Sequence, residues 1–186
     1  MRAAELYRLL HGELGAWFRE HGFARRRGAR LAYQRQRRDL YETVWFQCDK
    51  HGWDHYAGSS FSANFSVTAD PDPESVRRRD ERLNAFLTDG ELDIARAYRD
   101  TIVARIPKQP ESYFQMLEAQ FGKSVKDPVP LVAALRAQFE PEPIPYRRHQ
   151  DFMLRYFQPE DVAGWAAFIL PVLPRAFEQM AAWTPE

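Results

Sequence analysis

Apolar residues at helical spacing open the chain and then give way to segments that alternate with the period of a strand. Over residues 3–20, four leucines, Trp17 and Phe18 recur every three or four positions, with charged residues on the other faces. Gly22 follows where a helix commonly ends, and Phe23 is the apolar residue that closes such a cap. Three later segments alternate apolar with polar residues: 31–34, 43–48 and 61–68. The first seventy residues therefore predict a helix packed on an antiparallel meander.

The first two strands have one favoured register. If they turn near Arg38 and Asp39, partner numbers sum to 77, and every pair on one face matches apolar with apolar or opposite charges. The pairs on that face are Leu31 with Phe46, Tyr33 with Val44, and Arg35 with Glu42. The predicted buried face of the meander consists of Leu31, Tyr33, Val44, Phe46, Phe61, Phe65 and Val67. We expect the Arg35–Glu42 pair at the exposed rim of the sheet, where an ion pair contributes about 0–1 kcal/mol.

Residues 71–186 predict a mainly helical remainder. Asp72-Pro73 is a typical helix start, and Pro171 and Pro174 must kink or split a C-terminal helix that begins at Pro159. Other predicted elements are helices over about 92–106, 110–121 and 128–139, an extended connector over 140–145, and a strand within 151–157. Together these patterns predict one α+β domain over residues 1–186, with residues 1–70 as its core. It consists of an N-terminal helix, an antiparallel meander of three to four strands, and several helices packed on the sheet.

Composition narrows the class of protein. The 26 basic and 26 acidic residues cancel, but residues 1–40 carry a net charge of +6 and the rest of the chain −6. A neutral total argues against a dedicated nucleic-acid-binding protein, and we expect the two sets of charges to pair within the fold. The single cysteine excludes an internal disulfide and favours a reducing compartment. No stretch approaches the ~18 apolar residues of a membrane span. We therefore expect a cytoplasmic protein without membrane contact.

The order of three motifs in the N-terminal part resembles a known bacterial family. They are Gly22-Phe23-Ala24-Arg25-Arg26 at the end of the helix, Val44-Trp45-Phe46-Gln47 in one strand, and Phe61-Ser62-Ala63-Asn64-Phe65-Ser66-Val67 in another. Over about residues 5–70 this is similar to the family called domain of unknown function number 4304. Trp45 departs from that family, which usually has asparagine there. The resemblance implies a small fold of a helix on an antiparallel sheet, and no activity or catalytic residue.

Cys48, His51 and His55 have the spacing of metal ligands. A thiolate and two imidazoles suit zinc. The alternative is a cysteine packed at a strand end, followed by a polar loop that happens to hold two histidines; no second Cys or His pair follows. We predict that the protein binds no metal and no cofactor.

Motifs for common catalytic sites are missing from the sequence. It contains no Gly-x-Ser-x-Gly, no His-Glu-x-x-His and no Gly-x-Gly-x-x-Gly. An enzyme with an unrecognised cleft stays open as an alternative, without a residue to support it.

Two features favour a binding surface. Seven arginines lie between positions 25 and 38, and guanidinium groups bind carboxylates and phosphates well. The second face of the meander is polar and carries one large aromatic residue, unless later helices cover it. We therefore predict a non-catalytic protein-binding module, immunity- or adaptor-like, that contacts an acidic partner. Its predicted partner-binding residues are Arg25, Arg26, Trp45, Gln47 and Asn64. A nucleic-acid-binding protein that uses the Arg-rich hairpin is the alternative.

Overall fold

A computed structural model describes residues 1–28, 30–49, 58–72, 78–137 and 152–184. It has the predicted α+β architecture, in which an antiparallel sheet carries helices on one face. The strands are β1 (Ala24–Arg25), β2 (Leu31–Arg37), β3 (Leu40–Cys48), β4 (Ser59–Thr68), β5 (Arg78–Arg82) and β6 (Leu154–Tyr156). The helices are α1 (Ala3–Glu20), α2 (Asp89–Arg105), α3 (Glu111–Phe121), α4 (Val129–Arg136), α5 (Pro159–Ile169) and α6 (Leu173–Met180).

Helix α1 forms and ends as the sequence predicts. Its buried residues recur at four-residue spacing: Leu6, Leu10, Leu14 and Phe18. Gly22 then takes a left-handed conformation (φ 79°) that costs other residues more, and its N–H donates to the carbonyl oxygen of Arg19. The N–H of Phe23 donates to the carbonyl of Phe18 over 2.9 Å. This cap turns the chain directly into β1.

The strand order is β1-β2-β3-β4-β5, with every neighbouring pair antiparallel. The predicted register is confirmed, since Leu31 lies opposite Phe46 and Tyr33 opposite Val44 around a two-residue turn. The far edge of β4 is shared, because β5 pairs with its second half and β6 with its first. The described sheet thus has six strands, where the sequence predicts three to four.

The apolar face of the sheet is the core of the protein. All seven residues predicted there are buried. Helices α1 and α6 pack on it, since the Phe18 ring stacks on Tyr33 with centroids 4.1 Å apart and Phe177 lies 6.2 Å from Phe65. Trp165 of α5 belongs to the same apolar cluster. Its indole N–H donates to the backbone carbonyl oxygen of Arg155 in β6.

The helix predicted to start at Asp72-Pro73 is wrong over its described part. Residues 73–77 lie outside the described residues, but 78–82 form strand β5 and 83–86 a short 3-10 helix. Four consecutive charged residues over 79–82 offer a helix no apolar stripe to bury, whereas the second half of β4 offers an unpaired edge. Leu83 and Phe86 are buried in the core despite this change.

The other described helices follow the predictions. The three residues between α5 and α6 include Pro171, which splits the C-terminal helix as expected, and α6 contains Pro174 in its first turn. Helices α3 and α4 form a small satellite with its own buried cluster of Ile106, Phe114 and Val132. The connector predicted over 140–145 lies outside the described residues. In the described ranges, no helix combines the length and apolarity needed to cross a membrane.

Candidate partner-binding surface

The face of the sheet opposite the helices, here called the polar face, brings three of the five predicted binding residues into one row. Trp45 on β3 lies directly opposite Asn64 on β4, and Ala32 on β2 lies opposite Trp45. The N–H of Arg26 donates to the carbonyl of Ala32 over 2.9 Å, which extends the row to the chain just after β1. With strands ~4.8 Å apart, the backbones of Arg26 and Trp45 are separated by about 10 Å. Gln47 follows Trp45 by two residues and therefore shares its face.

Exposure differs among these residues. Arg25, Arg26 and Gln47 are exposed, and Trp45 is partly buried. Asn64 is only 7% exposed, and its amide nitrogen donates to the Ser62 hydroxyl over 3.0 Å and towards the carbonyl oxygen of Trp45 over 3.4 Å. Asn64 thus supports the backbone beneath Trp45 and offers a partner little surface.

One end of the polar face is closed by the segment that follows β4. The carbonyl oxygen of Pro71 accepts from the Gln34 amide over 3.0 Å and from the Arg26 guanidinium over 3.5 Å. Gln34 also donates to the Thr43 hydroxyl. Among the described residues, the segment around Pro71 therefore covers this end. The accessible part of the row is the arginine end together with Trp45 and Gln47.

The arginines at 25–27 form an exposed basic segment. Within the described residues no carboxylate lies at ion-pair distance from any of the three. Arg25 lies opposite Tyr33, on the helix side of the sheet, where the Tyr33 hydroxyl is 2.6 Å from His11 Nδ1. Burial lowers the pKa of His11, and the positive charges of Arg25 and Arg19 lower it further. The basic segment thus acts on neighbouring groups without being neutralised.

Arg35 and Arg37 have a different role. The expectation that Arg35 and Glu42 form an exposed ion pair at the rim of the sheet is wrong, because Glu42 is buried. Glu42 is 0% exposed and holds both guanidiniums: Arg35 Nε donates to one carboxylate oxygen over 2.7 Å, and Arg37 Nε to the other over 2.5 Å. The Arg35 guanidinium lies 4.4 Å from the Phe23 ring centroid and 5.0 Å from that of Phe177, so these rings help to shield Glu42 while the guanidiniums stay partly exposed. We call these three charged residues the Glu42 clamp.

A shallow cleft of about 290 Å³ lies beside the clamp. It is lined by Trp17, His21, Arg35, Arg37, Pro174, Phe177, Glu178 and Ala181. The sequence analysis did not predict this cleft. Trp17 and His21, which are four positions apart and so lie on the same side of the end of α1, could have indicated it. Arg35 donates to the carbonyl of His21 and Arg37 to that of Ala181, so each guanidinium caps the C-terminal end of a helix. Both guanidiniums therefore hold α1 and α6 on the sheet, and the cleft lies at the junction of these two helices.

The metal-ligand hypothesis concerned Cys48, His51 and His55, of which both histidines lie outside the described residues. Cys48 ends β3 and is partly buried, with its sulfur 3.6 Å from the Tyr7 hydroxyl. Burial, followed by the hydrogen bond with Cys48, raises the pKa of Tyr7 to about 12. The described ranges contain no group of three His, Cys, Asp or Glu side chains suited to a metal ion. The absence of a bound metal stays a prediction.

No protein-family profile, curated protein or solved structure matches the chain. The resemblance to domain of unknown function number 4304 therefore stays a prediction, and the candidate surface is argued from its own geometry.

Proposed function

We propose that the chain is a non-catalytic protein-binding module of the immunity or adaptor kind, which contacts an acidic protein through Arg25, Arg26, Trp45 and Gln47. A cytoplasmic location and membership in domain of unknown function number 4304 are parts of the same proposal. The observation that supports it is the exposed basic segment at 25–27, which has no carboxylate partner among the described residues.

The physical reason is electrostatic. Three adjacent guanidiniums repel one another, and within the described part of the chain no carboxylate lies at ion-pair distance from them. An acidic partner relieves this repulsion and speeds association, and a guanidinium can bind a carboxylate through two parallel hydrogen bonds. The cap of α1 and the pairing of β1 with β2 fix the backbone of this segment, which lowers the entropy lost on binding. Trp45, in the same row as Arg26, adds the kind of side chain that often anchors an interface.

The test compares two charge-reversed variants with the wild type. Arg25→Glu with Arg26→Glu changes the net charge by −4 at the candidate surface. Lys123→Glu with Lys126→Glu makes the same change at exposed positions between α3 and α4, and serves as the matched control. Tagged protein is incubated with native bacterial lysate, and captured proteins are identified and quantified by mass spectrometry.

We expect the wild type and the control to retain one acidic protein that the arginine variant loses at least tenfold, while all three melt at nearly the same temperature. Equal capture by both variants would refute the proposal. Unfolding of the arginine variant would show that these residues stabilise the fold. Capture that disappears after nuclease treatment would instead support the nucleic-acid alternative, for which binding must weaken steeply with salt.

A further inference from the structure

Within the described residues, strand β1 has a free outer edge. It stands at the end of the strand order, and no other described strand pairs with its far side. Residues 24–28 are exposed along their whole length. An unpaired strand edge presents backbone donors and acceptors to any extended chain that approaches it.

The register shows which backbone groups face outward. Ala24 lies opposite Gln34 and Arg25 opposite Tyr33, and the N–H of Arg26 donates to the carbonyl of Ala32. In an antiparallel pair, hydrogen-bonded and non-hydrogen-bonded residue pairs alternate. Arg26 and Ala24 therefore use their backbone groups against β2, and Arg25 points its N–H and C=O away from β2 to the open edge.

The side chains at this edge lie on both sides of it. Arg25 shares the helix-side face with Tyr33, whereas Arg26 shares the polar face with Ala32 and reaches the oxygen of Pro71. A strand added at this edge would alternate its own side chains in the same way. Acidic residues on either of its faces would thus meet an arginine.

We propose that the acidic partner binds as an extended strand added to β1, pairing its backbone with Arg25 and its carboxylates with Arg25 and Arg26. This inference rests on the proposed function and specifies how the partner is recognised. Backbone pairing supplies affinity that does not depend on sequence, and the two arginines select acidic strands.

A second copy of this chain does not fit the same edge. Antiparallel pairing of two β1 edges would place arginine beside arginine, and like charges directly opposite each other destabilise a strand pair. The same charges that prevent edge-to-edge association of identical chains therefore favour an acidic strand.

The first experiment uses an acidic peptide as the probe. A heptapeptide with two adjacent glutamates at its centre, which lie on opposite faces of a strand, and valine and threonine on either side is compared with the same peptide methylated at its three central backbone nitrogens, and with a version carrying lysine for glutamate. Methylation keeps the charge and removes the backbone donors. We expect the methylated peptide to bind at least about fivefold more weakly, which corresponds to the loss of one ordinary hydrogen bond. We expect the lysine peptide not to bind.

Amide hydrogen exchange, followed by NMR, locates the new strand. Saturating acidic peptide should slow exchange of the Arg25 amide at least about fivefold, since it becomes hydrogen-bonded. The Arg26 amide is the internal control, because it is already bonded to Ala32 and should not change. Arg25→Pro removes the outward N–H without breaking the ladder to β2, and should weaken binding by a further factor of about five relative to Arg25→Ala.

The outcomes separate the two proposals. Equal binding of the methylated peptide, or unchanged exchange at Arg25, would overturn strand addition and leave an acidic partner bound through side chains. No binding of the acidic peptide at millimolar concentration would also overturn strand addition. The proposed function fails separately, if the charge-reversed variant at 25 and 26 captures the same protein from lysate as the wild type.

Discussion

Removing the charge at the centre of the Glu42 clamp should destabilise the protein strongly. Glu42→Gln keeps the shape of the side chain but removes the carboxylate charge, leaves one acceptor oxygen for the two guanidiniums, and turns an amide NH2 donor towards the other guanidinium. Each charge-assisted hydrogen bond contributes roughly 1.5–3 kcal/mol, and breaking a buried pair costs about 3–5 kcal/mol. Because Arg35 and Arg37 keep 26% and 27% of their side chains exposed, water compensates part of this loss. We expect the free energy of unfolding to fall by about 3 kcal/mol.

The chain contains a matched control for this change. Glu111 binds Arg136 through two hydrogen bonds of 2.6 and 2.7 Å, but their side chains are 60% and 43% exposed. Glu111→Gln should therefore leave the free energy of unfolding nearly unchanged. Urea denaturation at unchanged slope measures both losses, and melting temperatures should fall by roughly 6–12 °C for Glu42→Gln. Losses of equal size in the two variants would refute the view that burial makes the clamp strong.

Three further predictions concern the core and its tyrosines. Phe65→Ala should lower the free energy of unfolding by about 3–5 kcal/mol in urea melts, because Phe65 is 0% exposed; a loss below about 1 kcal/mol would show a peripheral site. Gly164→Ala should cost about 1–3 kcal/mol, because a Cβ there would collide with the Tyr98 hydroxyl, and the cost should shrink in a Tyr98→Phe background. Burial raises the pKa of Tyr33 and of Tyr7 to about 12, so the fold favours their neutral forms, and stability should fall as the pH rises from about 10, where unfolded tyrosine titrates, to 12. Absorbance at alkaline pH should show these two tyrosines ionising after exposed ones, and simultaneous ionisation of all tyrosines would contradict this.

Sequence reasoning succeeded where periodicity and pairing agreed. The register of β2 with β3 was predictable, because only one alignment puts Leu31 opposite Phe46 and Arg35 opposite Glu42. The end of α1 was predictable, because glycine at position 22 adopts the left-handed backbone conformation that ends the helix without the clash that a Cβ atom causes. In both cases residues that are near one another in the sequence determine the local structure.

Prediction from the sequence failed where an element distant in the chain decides the local structure. Residues 78–82 have no strand-like alternation, and they become β5 only because β4 leaves half an edge unpaired. The exposure of Glu42 was misjudged for a similar reason. Phe177, which lies 135 positions after Glu42 in the chain, packs against the Arg35 guanidinium and helps to bury Glu42.

The arginines of the N-terminal part show why net charge alone did not predict the surface. The uneven charge of the two parts of the chain favoured pairing between them, and the clamp arginines, which lie within residues 1–40, do pair with Glu42 of the acidic part. Strand parity directs Arg35 and Arg37 to the helix side, where α6 can cover them. The arginines at 25–27 precede β2 on an edge that no described element covers, so identical side chains a few residues away stay exposed. Geometry therefore divides the basic segment into arginines that pair with Glu42 and arginines that stay exposed at the sheet edge, and we expect charge reversal to leave the stability unchanged only at the second set.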